Sequence, residues 1–387
     1  MNMGIKNQNV EIKRITDGED HCFFGYYDIP AWNGDGTRHL CHKVKFFERF
    51  PEKEDAAEIG MIDMRDFTYK PLTSTTAWNF QQGAMLQWNP AHPSDEIIFN
   101  RRDGEEYRGV IRNVNSGEER ILERPVANVD SKGRYALSIN FDRVYDFRPG
   151  YGYTGVKDKW YDIECPEDDG IYLVDLETGK STLTVSYREI WERFCPGREE
   201  RKIVVNHITF NTEGDRFVYL ARYFPEKDQG WVTAVITANT DGSGQYLLRD
   251  YAYASHYHWR DREHLLIYAS GPENDQLYLL KDRTNKIDIL DREYFLKDGH
   301  CSYSPDRRHL LYDSYPDEKG YRNLYLYDIR NRKGMLLGSF FSDERAYGDI
   351  RCDLHPRWNP SGDAITFDST HEGHRHIYYA DVSEYIK

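Results

Sequence analysis

The chain has 387 residues and a formal net charge of −14, with 30 tyrosines and eight tryptophans. An acidic chain argues against nucleic acid as a partner, because phosphates demand a basic surface; an acidic sugar is compatible with it, because a local pocket can still be positive. No apolar run approaches the roughly 18 residues of a membrane span, and residues 1–9 are polar. We therefore expect a cytoplasmic protein without a membrane partner.

A repeat of roughly 40 to 55 residues organises the chain, and each copy combines short β-rich runs with tight turns. The turns are clearest in Ser304-Pro-Asp306 and Asn359-Pro-Ser-Gly362, where proline presets φ and glycine or aspartate accepts the left-handed corner. Seven copies begin near residues 32, 88, 129, 210, 259, 303 and 358. This pattern predicts an all-β, seven-bladed β-propeller in which residues 1–387 form a single domain.

Three further segments belong to this prediction. Residues 9–16 alternate like a strand but have no blade of their own, so we expect them to complete the last blade and close the ring. An insertion in the third copy, residues 141–169, is long enough to cap one opening of the channel; the alternative is a solvated surface loop. Residues 187–194 are the only short helix predicted.

Four histidines occupy the same position in four consecutive repeats, three residues before an aromatic residue. They are His207, His256, His300 and His355, which precede Phe210, Trp259, Tyr303 and Trp358. Because the innermost strands of a propeller run parallel around the axis, we expect these side chains to form an arc at one end of the channel. Neutral imidazoles bind manganese, zinc and similar metals, and imidazole is the usual general base. The alternative is a set of polar channel residues bonded to water or to neighbouring blades.

Other polar side chains are predicted near the same end of the channel. They are Arg222, Asn100 and Arg102 at strand ends, Arg143 in the insertion, and Gln82 and Tyr27 in the runs 79–83 and 24–28. Guanidinium groups pair bidentately with carboxylates, and aromatic rings stack on sugar faces. Together these residue types favour an anionic carbohydrate as the ligand.

Three segments carry a resemblance to a known family. Gly299-His-Cys-Ser-Tyr-Ser-Pro-Asp306, Asp353-Leu-His-Pro-Arg-Trp358 and Ser255-His-Tyr-His-Trp259 resemble the oligogalacturonate lyases, seven-bladed propellers that act on pectin fragments in the bacterial cytoplasm. The resemblance implies that His256 is the catalytic base. It also implies that His300 and His355 are ligands of a divalent metal, manganese or a similar ion.

The chain departs from that family at two expected ligand positions. Cys352 and Arg357 stand where the family pattern has a glutamine and a second histidine. A guanidinium at position 357 would supply positive charge without a metal. The runs Gly25-Tyr-Tyr-Asp28 and Gln81-Gln-Gly83 are also similar to propeller lyases that degrade ulvan and related uronic-acid polysaccharides.

These features predict a lyase that cleaves uronic-acid-containing oligosaccharides by β-elimination. His256 would take the C5 proton, and His207 or a tyrosine would return one. A metal on His300 and His355, or the guanidinium of Arg357 or Arg222, would stabilise the enolate-like charge. The predicted contacts to the anionic oligosaccharide are Gln82, Asn100, Arg102, Tyr27, Arg357 and Arg143. Two alternatives stay open. One is a glycoside hydrolase that uses a pair among Asp28, Asp313, Asp353 and Asp368; the other is a non-catalytic carbohydrate-binding propeller.

Overall fold

The computed structural model describes residues 4–226 and 229–386, and its strands form seven antiparallel sheets placed as blades around a central channel. This confirms the predicted all-β, seven-bladed propeller. In each blade the strand nearest the axis comes first in the sequence, and the later strands follow outward. No helix in the described part of the chain is long and apolar enough to cross a membrane.

Two short strands precede blade one. They are β1 (Ile5–Lys6) and β2 (Lys13–Arg14). Blade one contains β3 (His21–Phe23), β4 (Arg38–Val44), β5 (Ala57–Asp63) and β6 (Tyr69–Thr75). Blade two contains β7 (Gln87–Trp88), β8 (Glu96–Asp103), β9 (Glu106–Asn113) and β10 (Glu119–Ile121). Blade three contains β11 (Asn128–Val129), β12 (Tyr135–Ser138), β13 (Gly170–Asp175) and β14 (Ser181–Ser186).

The remaining blades follow the same order along the chain. Blade four contains β15 (Val204–Phe210), β16 (Arg216–Tyr223), β17 (Val232–Asn239) and β18 (Tyr246–Ala252). Blade five contains β19 (Ala254–Trp259), β20 (His264–Gly271), β21 (Asn274–Lys281) and β22 (Ile287–Ile289). Blade six contains β23 (Cys301–Tyr303), β24 (His309–Asp313), β25 (Tyr321–Asp328) and β26 (Lys333–Phe341). Blade seven contains β27 (Arg357–Trp358), β28 (Ala364–Ser369) and β29 (His376–Asp381).

The two N-terminal strands join the outer edges of the last two blades. β2 pairs antiparallel with β29 of blade seven, with Lys13 opposite Tyr379. This confirms the predicted closure of the ring by residues 9–16. β1 adds a fifth strand to blade six, where Ile5 lies opposite Phe340. The sequence did not predict β1, because a two-residue strand is too short to show an alternating pattern.

Two α-helices lie among the described residues. α1 (Phe141–Phe147) begins the insertion of blade three, and Asn140 caps it by accepting a hydrogen bond from the backbone N–H of Arg143. The sequence did not predict this helix, because two turns are too few to show a helical period. α2 (Tyr187–Phe194) is the helix that the sequence did predict, and it buries Ile190 and Trp191 on one face.

Tryptophans at the ends of innermost strands tie neighbouring blades together. In each case the indole Nε1 donates to a backbone carbonyl of the neighbouring blade: Trp88 to Ala31 at 3.1 Å, Trp259 to Thr209 at 3.3 Å, and Trp358 to Ser302 at 3.2 Å. Each acceptor belongs to the preceding blade and comes one residue before that blade's own repeat aromatic. Trp32 breaks the pattern, because its buried Nε1 has no hydrogen-bond partner. The seam between blades seven and one therefore lacks this bond.

Blade one departs from the predicted repeat. Its innermost strand is β3, whereas Trp32, where the repeat was expected to begin, forms only an isolated bridge with His39. Between these points the chain turns inward at Gly25, which has a φ of +129°. A Cβ there would lie 3.0 Å from the backbone of Gln82, so only glycine fits. The turn carries residues 26–28 into the channel.

Candidate active site in the central channel

The four histidines lie together at the end of the channel where the innermost strands begin, here named the upper end. The ring centroids of His256 and His300 are 4.0 Å apart, and those of His300 and His355 are 4.2 Å apart. Tyr26 links them to His207, because its ring stacks on His207 at 5.1 Å and meets His355 edge-on at 5.0 Å. The convergence predicted from their equal register is therefore present.

Irregular backbone directs two of these imidazoles. The φ angle is +49° at His207 and +41° at His355, and Met85 at the same repeat position of blade two has +52°. The register between β15 and β16 shifts at His207, which makes it the extra residue of a β-bulge. Histidine is enriched several-fold in the left-handed region, and a bulge redirects a side chain. This repeat position thus combines strand periodicity with a backbone that turns the side chain toward the axis.

His256 and Asp298 form a hydrogen-bonded pair. Nδ1 of His256 lies 3.0 Å from Oδ1 of Asp298, and the hydroxyl of Tyr253 donates to the other carboxylate oxygen at 2.8 Å. Burial opposes ionisation of Asp298, but His256 and the donated hydrogen bonds hold its pKa below the ordinary value. An ionised carboxylate only accepts, so Nδ1 carries a proton, and in the neutral tautomer the lone pair is on Nε2. His256 is thus arranged as a general base oriented by an acid.

His300 is oriented in the same way by Asp313. Its Nδ1 lies 2.9 Å from Oδ1 of Asp313, and the same oxygen accepts the backbone N–H of His300 at 2.8 Å. Burial raises the pKa of Asp313 to about 7, and the neighbouring charge of Asp353 adds to the rise. The Nε2 of His300 faces the Nε2 of His355 at 3.1 Å. Burial holds the pKa values of both imidazoles well below their ordinary value, so both are neutral.

A carboxylate completes a three-residue cluster at this point. The ligand atoms of His300, His355 and Asp353 all lie within 4.8 Å of one another. Asp353 is ionised, because Arg322 at 2.6 Å and Arg351 at 2.8 Å outweigh the effect of burial and hold its pKa well below the ordinary value. Two facing imidazole nitrogens need a proton or a cation between them, and neutral nitrogen with carboxylate oxygen suits manganese or zinc. The cluster therefore fits a divalent metal.

The residues at the family's two other ligand positions do not join this cluster. Arg357 pairs with Asp368 at 2.6 Å, which neutralises its charge inside the protein. This charge is therefore not free for a substrate carboxylate, the contact that the sequence analysis predicted. The buried Cys352 thiol lies 3.8 Å from the carbonyl of Asp353. Sequence reasoning missed Asp353 as a ligand, although its position two residues before His355 was a usable signal.

Arg222 is a buried guanidinium for which the described residues supply no acidic partner. Its Nε donates to Thr233 at 3.1 Å, Nη2 donates to the carbonyl of Ala254 at 3.3 Å, and Nη1 has no partner. Burial and the nearby charge of Arg148 lower its pKa to about 10, so it stays charged at neutral pH. Burial also holds the pKa of His207 well below its ordinary value, and Arg222 adds to this effect. Because a buried cation without a counter-ion is costly, this side of the arc is suited to an anion.

The insertion of blade three covers the upper end of the channel. Arg148, at the end of α1, binds the Asp349 carboxylate of the connection between blades six and seven, with contacts of 2.7 to 3.1 Å. Tyr151 of the insertion meets His207 edge-on at 5.2 Å, and Gln81 donates to the carbonyl of Asp349 at 3.1 Å. Of the two sequence alternatives, the cap is therefore the one present.

Aromatic rings that reach solvent flank this cover. Trp231, Tyr253 and Tyr315 are 38%, 47% and 38% exposed. The Tyr315 ring lies 6.2 Å from that of His256, and the Trp231 ring lies 5.9 Å from the guanidinium carbon of Arg222. Partly exposed rings beside a cation suit a sugar that carries a carboxylate.

Two predicted substrate-binding residues are structural instead. The amide of the fully buried Asn100 donates to the carbonyl of Val126 and to the hydroxyl of Tyr153, and it accepts the backbone N–H of Val126. The fully buried guanidinium of Arg143 donates to Asp158 and to backbone carbonyls that hold the insertion together. The polar groups of both residues are therefore engaged inside the protein.

The last three predicted residues have different surroundings. Arg102 pairs with Glu54 at 3.0 Å and not with any of the histidines. Gln82 lines a cavity of about 20 Å³ that also reaches the blade four histidine. The Tyr27 hydroxyl exchanges two hydrogen bonds with the backbone of Tyr257, at 2.7 and 3.0 Å, which fixes its ring beneath the arc.

Comparison with known proteins gives a structural likeness. No family model matches the chain, and no curated protein is similar to it in sequence. An oligogalacturonate lyase from Vibrio parahaemolyticus superposes with a TM-score of 0.69 and 14% identity, over 99% of this chain and 96% of that one. An oligogalacturonate lyase in complex with manganese gives 0.70 and 15%, over 98% and 94%.

A propeller of another class is less similar. The β-propeller domain of the Trilobed protease from Pyrococcus furiosus gives a TM-score of 0.54 and 12% identity, over 95% of both chains. Identities this low show the fold alone. Within that limit, the structural likeness to oligogalacturonate lyases agrees with the resemblance seen in the sequence motifs.

Proposed function

We propose that this protein is a carbon–oxygen lyase that cleaves uronic-acid-containing oligosaccharides, of the oligogalacturonate type, by β-elimination at the upper end of the channel. One observation supports this above all others, the juxtaposition of a base with a buried cation for which the described residues supply no acidic partner. His256, oriented by Asp298, lies on the strand whose Ala254 carbonyl accepts a hydrogen bond from Arg222. A uronate needs this pair, because its C5 proton is removed readily only when the C6 carboxylate charge is neutralised.

His256 accepts the C5 proton through the free lone pair of Nε2. The electrons of the C5–H bond form a C4=C5 double bond, and the bond from C4 to the glycosidic oxygen breaks. Arg222 pairs with the C6 carboxylate and stabilises the enolate-like charge that develops on it. The products are one sugar fragment with a new double bond and one with a free hydroxyl.

We assign Tyr26 as the donor of a proton to the departing oxygen. Burial raises its pKa well above the ordinary value, so its hydroxyl remains protonated until it donates. Its ring lies between His207 and His355, within the arc. His207 stacks on this ring, so its part is to position Tyr26.

His300, His355 and Asp353 are the residues that would hold a divalent metal, and manganese is the ion in one of the similar lyase structures. When bound, such an ion supplies Lewis-acid charge for the substrate carboxylate. Asp313 orients His300, as a carboxylate commonly orients a metal-binding histidine.

An ultraviolet assay for unsaturated product, run over a panel of uronic-acid oligosaccharides, tests the reaction. We expect product from an oligogalacturonide or a related uronate, loss of activity with a chelator, and recovery with manganese. Activity that survives the chelator would favour a metal-independent reaction in which Arg222 alone neutralises the carboxylate. The absence of unsaturated product from every uronate would overturn the proposal, and incorporation of solvent oxygen would identify a hydrolase.

A further inference from the structure

A second ring of channel-facing side chains lies below the histidines. The residues two positions after the repeat's histidine position lie further along the innermost strands, and His258, Ser302 and Arg357 among them line one cavity. In six blades these residues are polar: Gln87, Asn128, Thr209, His258, Ser302 and Arg357. The histidine position itself includes methionine and valine, at Met85 and Val126. The polar character is therefore more uniform in the lower ring than in the arc above it.

Two members of this ring carry buried polar atoms for which the described residues supply no hydrogen-bond partner: Ser302 Oγ and Arg357 Nε. They come from the neighbouring blades six and seven. Ser302 and Arg357 are only 5% and 2% exposed, so bulk solvent does not satisfy them. Buried polar groups are nearly always paired, and two unpaired ones at one level of a channel indicate something bound there.

Asp28 projects into the channel at this level. It borders the small cavity beside blade four and also a cavity of about 270 Å³ at the lower end. In the described part of the chain its carboxylate has no side-chain hydrogen bond or ion pair, and burial raises its pKa to about 7. Tyr27, fixed by its two bonds to Tyr257, separates this carboxylate from the histidines.

The lower cavity opens at the seam between blades seven and one. Trp32, Tyr303 and Trp358 line it together with three prolines. This is the seam at which Trp32 lacks the inter-blade hydrogen bond found at three other tryptophans. Aromatic faces and proline rings suit the apolar face of a sugar ring, while the polar ring above them suits its hydroxyl groups.

We propose that the lower end of the channel binds a small neutral molecule rich in hydroxyl groups, a monosaccharide or polyol, independently of the anionic substrate. Nε of Arg357 only donates, an ionised Asp28 only accepts, and the Ser302 hydroxyl does both. A ligand at this place must therefore donate and accept hydrogen bonds, as hydroxyl groups do. The carboxylate of Asp28, when ionised, repels a uronate.

Ligand-observed NMR on the full chain tests this site, with galactose and glycerol as neutral probes and galacturonate as the charged one. We expect saturable galactose binding that Ser302→Ala and Asp28→Asn each weaken about threefold to tenfold, the effect of one lost hydrogen bond. Ser138→Ala is the matched control and leaves binding unchanged. Ser138 is also a fully buried serine with an unpaired hydroxyl, but it lies on the second strand of blade three.

A second control separates this site from the upper one. His256→Ala removes the proposed base and leaves galactose binding intact, so the two proposals fail independently. The lower site is overturned if neither neutral probe shows saturable binding, if both site variants bind like the parent, or if His256→Ala abolishes binding. A crystal structure soaked with galactose that holds only ordered water in the lower cavity would also overturn it.

Discussion

The two sides of the histidine arc differ in the charge that surrounds them. In blades five to seven each imidazole has a carboxylate within 3.9 Å, in the pairs His256 and Asp298, His300 and Asp313, and His355 and Asp353. In blade four, none of the described residues places a carboxylate on His207 or Arg222. Equal position in a repeat therefore does not give equal chemistry, because the neighbours decide it. In blades five to seven, carboxylates orient the proposed base and metal ligands. In blade four, the positive charge of Arg222 is suited to an anion.

Alanine substitution of the paired and the unpaired histidine should separate these roles most strongly. His256→Ala is expected to lower kcat by about 10² to 10⁴, the usual contribution of a general base. His207→Ala should cost far less, because its neutral imidazole positions Tyr26 and transfers no proton. Initial rates of unsaturated product formation measure both. Equal losses would mean that the two sides of the arc do not differ in function.

Removal of the Arg222 cation should have the next largest effect. Arg222→Gln is expected to lower kcat/KM for a uronate about tenfold to a hundredfold, because a hydrogen bond to a charged group contributes about 1.5 to 3 kcal/mol. Arg222→Lys should recover only part of the loss, because lysine cannot pair bidentately. Arg249→Gln, on the outer strand of the same blade, is the control. Full activity of Arg222→Gln would contradict the anion site.

Loosening the blade-three insertion over the upper end of the channel should have a smaller effect, mainly on KM. Asp349→Ala releases Arg148 from its carboxylate partner, so substrate should enter more readily and gain a second cation. We expect KM to fall about twofold to fivefold with kcat unchanged, since a partly exposed ion pair contributes only about 1 kcal/mol or less. Steady-state measurements of kcat and KM for the variant and the parent test this expectation. A rise in KM would show that Asp349 itself helps to hold the substrate.

Asp28, a carboxylate without an imidazole partner, should give the smallest effect on the reaction, and its substitution should change how stability depends on pH. Its pKa of about 7 in the folded protein lies above the roughly 3.9 of an unfolded aspartate. The folded state thus holds the extra proton, and the contribution of Asp28 to stability falls as pH rises from about 4 to 7. Asp28→Asn removes this fall, so its Tm relative to the parent should be higher at pH 8 than at pH 5. A difference that does not change with pH would contradict this assignment.

The fold and the arc were predictable because both follow from local pattern. Turn residues and strand alternation repeat at fixed offsets, and equal offsets place side chains at equal depth in a propeller. The partners of the histidines were missed because they come from elsewhere: Asp298 reaches His256 from the start of the next blade, and Asp313 lies on a second strand. An aspartate two residues before His300, repeated before His355, was the signal available in the sequence.

Two of the predicted substrate contacts have polar groups that are engaged inside the protein. Asn100 and Arg143 lie near the expected site, and sequence alone cannot tell whether a buried amide or guanidinium meets a ligand or the protein's own carbonyl groups. The structure shows the second case for both. Arg222 occupies a similar strand end but retains an unpaired Nη1, and only the surrounding contacts distinguish the two situations.

The closure of the ring links the two ends of the chain to the chemistry. β1 and β2 complete blades six and seven, the blades from which His300 and His355 extend. Blade five, which carries His256, is built from four of its own consecutive strands. A proteolytic nick between β2 and β3 would therefore loosen the proposed metal ligands and leave the base on an intact sheet. Metal affinity would then report on the integrity of the N-terminus.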